Sequence, residues 1–377
     1  MAQNDKLFKV LDEYIYFDDV LESQEYAKNN PGKVVTRNPN YNKSAMSFHK
    51  RNKRQKSEKT PKMILEYLNK HVISQDEAKK EIALAIYYHT LRSHYPSNSK
   101  ITPNGPVMII GPTGSGKTFI VQKACDFTGT LFLHVDTASM VPEGIKGYSV
   151  SSLIQDLIFM ADGDMEKASR AVIFFDEIDK LFYKDDSDAQ FATRVSSQLL
   201  RFLEGGTFKV YNPSLTSEKE SIDFNAKNVQ FILGGAFQSI LDDKQERKPV
   251  VGFTKEPTNN NNYKITLEDL YKNDVPKELL GRMSAIVNLQ PLSESDYYTI
   301  LTKSESSPLK EFVDKIKFHG DNVNISDNTL REISKIAAEN ELGVRSIRQT
   351  LKKIFNDALF NVADTEYTTH TIAFKDK

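Results

Sequence analysis

The eight residues from Gly111 to Thr118 have the types and spacing of a phosphate-binding loop. The segment reads Gly111-Pro112-Thr113-Gly114-Ser115-Gly116-Lys117-Thr118 and fits the pattern G-x-x-x-x-G-K-[ST] at every fixed position. Glycines let the backbone bend so that successive N–H groups face phosphate oxygens, and a following helix adds positive partial charge. Lys117 can reach the β and γ phosphates, and the Thr118 hydroxyl can ligate Mg²⁺. The motif predicts a site for a magnesium nucleoside triphosphate.

A second group of candidate residues follows the apolar run 171–175, where Asp176 and Glu177 are adjacent. The carboxyl ends of strands form the ligand-binding edge of α/β sheets. Adjacent residues at a strand end point in different directions, so Asp176 can hold the Mg²⁺ water shell while Glu177 orients an attacking water. The second acid favours hydrolysis over phosphoryl transfer to another substrate.

Short apolar runs that alternate with helical patterns must position these residues. The predicted strands are Val107–Ile110, Leu131–Val135, Ala171–Phe175 and Val229–Leu233. The segments between them are long enough for the crossovers of a parallel sheet, which need about a dozen residues each. We therefore predict an α/β fold with a parallel sheet that is buried on both faces.

The pattern changes along the chain in a way that predicts four segments. Residues 1–60 are heterogeneous and are predicted as an N-terminal extension, followed by a large α/β domain at 61–287. After Leu289 the strand signals largely vanish, which predicts a smaller, mainly helical domain at 288–364 and a tail at 365–377.

Composition narrows the function classes. Lys and Arg (50) nearly balance Asp and Glu (51), so no whole-chain field would attract nucleic acid or an anionic membrane. The single cysteine, Cys125, cannot form an internal disulfide and fits a reducing cytoplasm. Because no apolar run approaches the ~20 residues that span a bilayer, we expect a cytoplasmic protein without a membrane partner.

Several segments also resemble ATPases of the AAA+ superfamily, of the Clp/HslU type, and within them the ClpX family. The resemblance extends over about residues 61–364 and includes Val72-Ile73-Ser74-Gln75, Asp176–Lys180 and Gly234–Phe237. It implies a three-layer P-loop domain followed by a smaller helical domain, with ATP and Mg²⁺ as cofactors. It also implies that Val72 and Ile73 pack on the adenine. The family departs from relatives that have a polar first sensor, so none is assigned here.

The same resemblance assigns roles to two arginines. Arg282 stands where the family has an arginine finger that enters the ATP site of the neighbouring subunit, and Arg345 stands where the helical domain supplies a second sensor. A guanidinium suits both roles because its charge is fixed and its fork can contact two phosphate oxygens. The alternative is that each forms a surface salt bridge. A finger supplied in trans implies a homo-oligomeric ring, expected to be a hexamer.

Two further segments bear on partners. Tyr148-Ser149-Val150 resembles the aromatic pore loop that grips polypeptide in the ClpX family, although that family has an aliphatic residue where Ser149 stands. Val251-Gly252-Phe253 resembles the tripeptide that docks on a ClpP-like peptidase. An ordinary loop tyrosine and a buried loop anchor are the respective alternatives. The extension at 1–60 lacks the cysteines of the family's zinc module, so we expect it to bind no zinc.

The combined prediction is an ATPase that unfolds or remodels protein by threading polypeptide through a ring, with or without a peptidase partner. The alternatives are an AAA+ motor on nucleic acid and a nucleotide-switched scaffold that hydrolyses slowly. Motors on nucleic acid generally line their channels with Lys and Arg, whereas Tyr148 has only Lys146 nearby, which favours a protein substrate. Intact Glu177 and Arg282 argue against the scaffold.

Overall fold

The computed structural model describes residues 8–10, 28–29, 35–37, 59–93, 105–182, 189–211, 221–246, 264–340, 342–364 and 368–374. The chain divides into two compact units, Met1–Thr60 and Pro61–Lys377. In the first unit, β1 (Phe8–Val10) pairs antiparallel with β2 (Val35–Arg37). The phosphate loop and both adjacent acids belong to the second unit.

The second unit contains both helices and strands as far as residue 288. Up to Asp176 they are α1 (Pro61–His71), α2 (Asp76–Ser93), β3 (Val107–Ile110), α3 (Lys117–Thr128), β4 (Phe132–Asp136), α4 (Val150–Met160), α5 (Met165–Ala168) and β5 (Val172–Asp176). After it come α6 (Ala189–Leu203), β6 (Thr207–Tyr211), β7 (Ser221–Asn225), β8 (Gln230–Gly235), α7 (Gln238–Glu246), α8 (Leu267–Lys272), α9 (Lys277–Leu280) and β9 (Ala285–Asn288).

A five-stranded sheet in the order β4-β5-β8-β3-β9 lies at the centre, and each strand runs parallel to the strands beside it. Side chains alternate between its faces, as the pleat of a strand requires. Ile173 and Phe175 pack in a core with α4 and α6, whereas Val172 and Phe174 pack in a second core with α1, α2 and α3. The sheet is therefore covered by helices on both faces, and the predicted three-layer α/β fold is confirmed.

A smaller, mainly helical part follows β9, also as predicted. Its elements are α10 (Glu294–Thr302), α11 (Pro308–Phe318), β10 (Asn322–Ile325), α12 (Asp327–Glu339), α13 (Val344–Asn361) and β11 (Thr369–Ile372). A capping box of Ser293 and Asp296 begins α10, and the Ser326 hydroxyl caps α12. These helices enclose a third apolar core, which includes Ile316 and Phe355.

The C-terminal residues contribute a strand that the sequence did not predict. β11 pairs parallel with β10. This strand lies within the segment 365–377 that was predicted as a tail, so its residues belong to the helical part instead. The pair is held by Asp321, whose carboxylate accepts hydrogen bonds from the Thr368 backbone N–H (3.0 Å) and the Thr368 hydroxyl (2.9 Å). Within the described residues, no helix is both long and apolar enough to cross a bilayer.

Candidate nucleotide site

The phosphate loop joins the carboxyl end of β3 to the start of α3. Gly114 (φ 74°) and Gly116 (φ 96°) adopt left-handed backbone conformations that glycine takes without a steric penalty. The Ser115 hydroxyl donates to the Pro112 carbonyl at 2.8 Å, and this bond within the loop stabilises the bend. The loop thus delivers backbone N–H groups to the N-terminus of a twelve-residue helix, which is an anion-binding arrangement.

Lys117 is held at the same loop. Its Nζ donates to the carbonyls of Gly111 (2.7 Å) and Pro112 (3.1 Å). Burial lowers the pKa of Lys117, and the positive charge of Arg345 acts in the same direction, while Asp176 and Asp179 oppose it. Acids and a second cation therefore lie within electrostatic reach of the ammonium group.

Asp176, at the end of β5, contacts a hydroxyl and an imidazole through one carboxylate oxygen. The Thr118 hydroxyl donates to Asp176 Oδ2 at 3.1 Å, and His134 Nε2 lies 3.3 Å from the same oxygen. Burial works to raise the pKa of Asp176, but the His134 contact and the charge of Lys117 outweigh it, so the pKa lies below its ordinary value. A carboxylate and a hydroxyl at this separation form a donor set that fits Mg²⁺.

Glu177 turns sharply away from β5. Its φ of 57° is unusual for a residue with a side chain, and such conformations are concentrated at functional sites. Its carboxylate accepts a hydrogen bond from Lys180 Nζ, in an ion pair whose two side chains are both exposed. Exposed pairs of this kind contribute about 0–1 kcal/mol, so the carboxylate can reorient at little cost.

Asp179 lies in the segment that resembles the family's acidic motif, but the sequence assigned it no role in the site. Its buried carboxylate accepts hydrogen bonds from the backbone N–H groups of Ala236 (3.3 Å) and Phe237 (3.1 Å). It therefore ties the segment after β5 to the end of β8, where no polar sensor had been assigned. Only the fold brings these positions together, because 57 residues separate Asp179 from Ala236.

A cavity of about 500 Å³ joins these groups to the helical part. It is lined at one end by Gly114, Lys117, Thr118, Asp176 and Glu177, and at the other by His71, Val72, Ile73, Leu292, Ile300, Ser304, Ser306 and Pro308. Thr113, Ser115 and Gly116 also line it, whereas Gly111 and Pro112 contribute through their carbonyl bonds to Lys117. The volume lies within the range of about 300–1,000 Å³ typical of small-molecule sites.

Arg345 enters the cavity from the first turn of α13. Its guanidinium makes no hydrogen bond or ion pair with the part of the chain that the structure describes. The helix is held close to the loop because Gly343 and Gly114 are in backbone contact, and a Cβ on Gly114 would lie 2.4 Å from the Leu342 carbonyl oxygen. The structure therefore brings Arg345 to the same cavity as Lys117.

Arg282 does not line this cavity. It follows α9, and its guanidinium donates to Glu204 Oε1 at 2.7 Å, with both side chains 44% exposed. Within one copy of the chain, Arg282 is therefore a surface arginine. The predicted finger would need a second copy to reach a phosphate.

The three residues predicted to form a substrate-binding pore loop, Tyr148, Ser149 and Val150, lie mostly inside the protein. The Tyr148 hydroxyl donates to Asp156 at 2.8 Å, and its ring packs against the apolar core. Ser149 caps α4, and Val150 is 2% exposed in the first turn of that helix. Ser149 and Val150 therefore have no side chain available for a polypeptide. Ile145, 45% exposed at the tip of the same loop, was not predicted.

The predicted docking tripeptide Val251-Gly252-Phe253 lies outside the described residues. The other residues that the sequence missed are those from the helical part that line the far end of the cavity, such as Ser306. Ser304 and Ser306 belong to the turn between α10 and α11, which has no motif, so their place in the site follows only from the folded arrangement.

Similarity to known proteins agrees with this geometry. Residues 102–286 match the family described as AAA domain (Cdc48 subfamily). The chain is 29% identical over 319 residues to the ATP-dependent Clp protease ATP-binding subunit ClpX 2 of Wolinella succinogenes, covering 82% of this chain and 79% of the relative. It is 28% identical over 337 residues to ClpX of Borrelia duttonii, covering 84% and 78%. ClpX of Treponema denticola is 29% identical over 323 residues, covering 80% and 77%.

The similarity to ClpX includes the parallel sheet, the phosphate loop and the acids of β5, and it continues into the helical part of the chain. The chain is therefore similar to AAA+ ATPases of the ClpX kind, both in its α/β domain and into its helical part.

Proposed function

We propose that this ATPase is a ring-forming motor that hydrolyses ATP to unfold or remodel protein. The observation that carries the proposal is the single cavity that Lys117, Asp176, Glu177 and Arg345 share. The phosphate-loop amides and Lys117 would hold the phosphates, and Thr118 with Asp176 would hold Mg²⁺. Bound ATP supplies the phosphoanhydride bond whose hydrolysis drives mechanical work.

The chain's own groups divide the chemistry between them. Glu177 would leave Lys180 and orient a water molecule toward the terminal phosphate, while Lys117 and Arg345 stabilise the negative charge that shifts during cleavage. Asp179 would fix the position of β8 against this edge through its two backbone hydrogen bonds. The arrangement favours water as the acceptor because the Glu177 carboxylate lines the cavity and can orient a water molecule toward the phosphate.

Assembly follows from the position of Arg282. A finger that is exposed and paired with Glu204 in its own subunit can contribute only to a neighbouring site. We therefore propose a closed homo-oligomeric ring, expected to be a hexamer, in which hydrolysis depends on subunit contact.

The substrate would be held by the loop between the short 3₁₀ helix at Thr137–Ser139 and α4. This loop is closed at its base by Val141 N–H donating to the Tyr148 carbonyl at 2.8 Å, and it presents Ile145 to solvent. An exposed aliphatic side chain can contact many polypeptide sequences through nonspecific apolar area. Tyr148 would then support the loop through Asp156 and supply part of its ring as additional contact.

An unfolding assay tests this function. The full chain, ATP and Mg²⁺ are incubated with a green fluorescent protein that carries an unstructured C-terminal peptide, and fluorescence is followed over time. We expect an ATP-dependent loss of fluorescence that Glu177→Gln abolishes. Added ClpP-like peptidase should convert the unfolded reporter to peptides if docking occurs. ATP-driven displacement of a DNA strand without any reporter unfolding would instead support the nucleic-acid alternative.

A further inference from the structure

The cavity has a polar feature at the end remote from the phosphate loop that the proposed function does not use. His71, the last residue of α1, places Nδ1 2.7 Å from the Ser306 hydroxyl oxygen. Ser306 belongs to the turn between α10 and α11, and both residues line the cavity. Because the phosphate loop fixes the phosphates at the opposite end, a nucleoside base must lie at this end, beside Val72 and Ile73.

The environment of His71 determines which group donates in this bond. Burial lowers the pKa of His71, and the charge of Lys123 adds to the effect, so the imidazole is neutral near pH 7 and has one N–H. Its Nε2 is buried without a hydrogen-bond partner in the described residues and lies 3.6 Å from a Glu305 carboxylate oxygen. A lone pair on Nε2 would face that negative charge, so the proton belongs on Nε2.

The Ser306 hydroxyl must then donate its only proton to His71 Nδ1. Its oxygen receives no hydrogen bond from the described residues, so it can offer only lone pairs to the cavity. The neighbouring Ser304 hydroxyl has also used its only proton, since it donates to the His71 carbonyl at 2.8 Å. The two serine hydroxyls at this end of the cavity therefore accept hydrogen bonds from a ligand and do not donate them. Arg348 also lines the cavity, and its guanidinium is paired with Glu311 at 3.0 Å.

We propose that Ser306, oriented by His71, is a specificity-determining residue that selects a purine with an amino group at position 6. The amino group of adenine can donate a hydrogen bond to the Ser306 oxygen. The 6-oxo group of hypoxanthine or guanine is itself an acceptor, so it would face the Ser306 oxygen without a hydrogen bond. The inference rests on the proposed nucleotide site and adds the residue that reads the base. Two acceptors that face each other in a closed site are both left without a hydrogen bond. This cost should discriminate strongly against 6-oxopurines.

Calorimetric titration of the full chain with ATP or inosine triphosphate (ITP), both with Mg²⁺, tests this inference. Glu177→Gln is included in every sample so that nucleotide is not consumed. ITP matches ATP in shape but has an oxo group at position 6. We expect ATP to bind about 10-fold more tightly than ITP. Ser306→Ala should weaken ATP binding and bring the two dissociation constants within about 3-fold, and Ser306→Thr should restore the preference.

A second variant distinguishes hydroxyl orientation from simple packing. His71→Phe keeps a ring against Tyr67, whose centroid lies 4.3 Å from that of His71, but removes the acceptor Nδ1. The Ser306 proton can then turn toward the base, so ITP binding should strengthen while the preference for ATP shrinks. Ser307→Ala is the matched control, because Ser307 donates to the Leu301 carbonyl and does not line the cavity. It should leave the ratio unchanged.

The outcomes separate the two proposals. If ATP and ITP bind the parent chain equally, or if Ser306→Ala leaves their ratio unchanged, the role of Ser306 is wrong while the nucleotide site stands. If neither nucleotide binds the parent chain, the proposed function itself fails, and the inference fails with it.

Discussion

Gly114 of the phosphate loop and Gly343 at the start of α13 are in direct backbone contact. A Cβ on Gly343 would lie 2.9 Å from the Gly114 carbonyl oxygen and 3.1 Å from the Gly114 Cα. Both residues have positive φ, 74° and 57°. The contact joins the phosphate-binding backbone to the helix that holds Arg345, so movement of either one must be accommodated by the other.

Gly343→Ala should therefore weaken ATP binding. The added methyl group meets backbone atoms that cannot rotate away, so α13 must shift and Arg345 must move relative to the loop. Equilibrium dialysis with labelled ATP measures the loss, which we expect to be about 10-fold or more for a displacement worth about 1.4 kcal/mol. Gly129→Ala is the control, because Gly129 has φ 72° but nothing within 4 Å of its added Cβ. Equal ATP affinity in both variants and the parent would contradict the coupling.

Arg282→Ala should retain ATP but lose hydrolysis by about 10³-fold if this side chain acts as an arginine finger. Mixing provides the sharper measurement. Subunits with Arg282→Ala keep Glu177, and subunits with Glu177→Gln keep Arg282, so a mixed ring contains complete sites only when the finger acts in trans. Partial recovery of phosphate release is expected on mixing two inactive preparations. Arg331→Ala, which changes another exposed, paired arginine, should remain active alone. Absence of recovery would argue against a finger supplied by a neighbouring subunit.

Ile145→Ala should slow unfolding of the fluorescent reporter while leaving ATP hydrolysis close to the parent rate. The change removes most of the apolar area at the loop tip and touches no group of the nucleotide site. Leu84→Ala is matched to it, since Leu84 is a similarly exposed aliphatic side chain (41%) on α2. Tyr148→Ala should also slow unfolding, because it removes the bond to Asp156 that supports the loop. Unfolding at the parent rate by Ile145→Ala would remove this side chain from the substrate path.

His89 should make stability depend on pH between about 6.5 and 4. Its Nε2 donates to the Arg170 carbonyl at 2.7 Å, and burial lowers its pKa from 6.5 to about 4, with Arg92 and Arg170 contributing in the same direction. Below pH 6.5 the unfolded chain takes up a proton that the folded chain does not bind until about pH 4. The free energy of unfolding should therefore fall by about 3 kcal/mol across this interval.

Denaturant titrations at several pH values measure this slope. His89→Gln can still donate a hydrogen bond but cannot take up the proton, so its stability should vary less with pH over the same interval. His319→Gln serves as the control because His319 is exposed. A parent chain and a His89→Gln variant with the same pH slope would contradict the assignment of His89 as a buried neutral imidazole.

Local sequence patterns were sufficient for four strands of the five-stranded sheet, although not for β9, and for the phosphate site. The runs around Ile109, Val135, Phe174 and Ile232 predicted four of the strands, because each is a short apolar stretch. The runs around Ile109, Phe174 and Ile232 are buried on both faces, whereas the run around Val135 forms the edge strand β4. The glycine pattern predicted the loop, and the acids that follow β5 share its cavity. In these cases the residue types are required by local backbone geometry or by direct phosphate and metal chemistry.

Features that depend on distant contacts could not be predicted in the same way. β11 is only four residues long, and it pairs with β10 across the whole of α12 and α13. Tyr148 stands beside a helix start in sequence, but only the folded core shows that its ring is packed and its hydroxyl is bound by Asp156. Asp179 and Ser306 likewise depend on partners 57 and 235 residues away. Such contacts leave no local spacing signal.

The most direct test of the account is ATP retention and turnover by the parent chain and by Glu177→Gln. If the phosphate loop, Asp176 and Glu177 surround one magnesium triphosphate, both proteins should bind ATP in the presence of Mg²⁺. Only the parent should release phosphate, at a rate about 100-fold or more above that of the variant. Failure of the parent to retain ATP, or equal phosphate release by the two proteins, would contradict the proposed catalytic site.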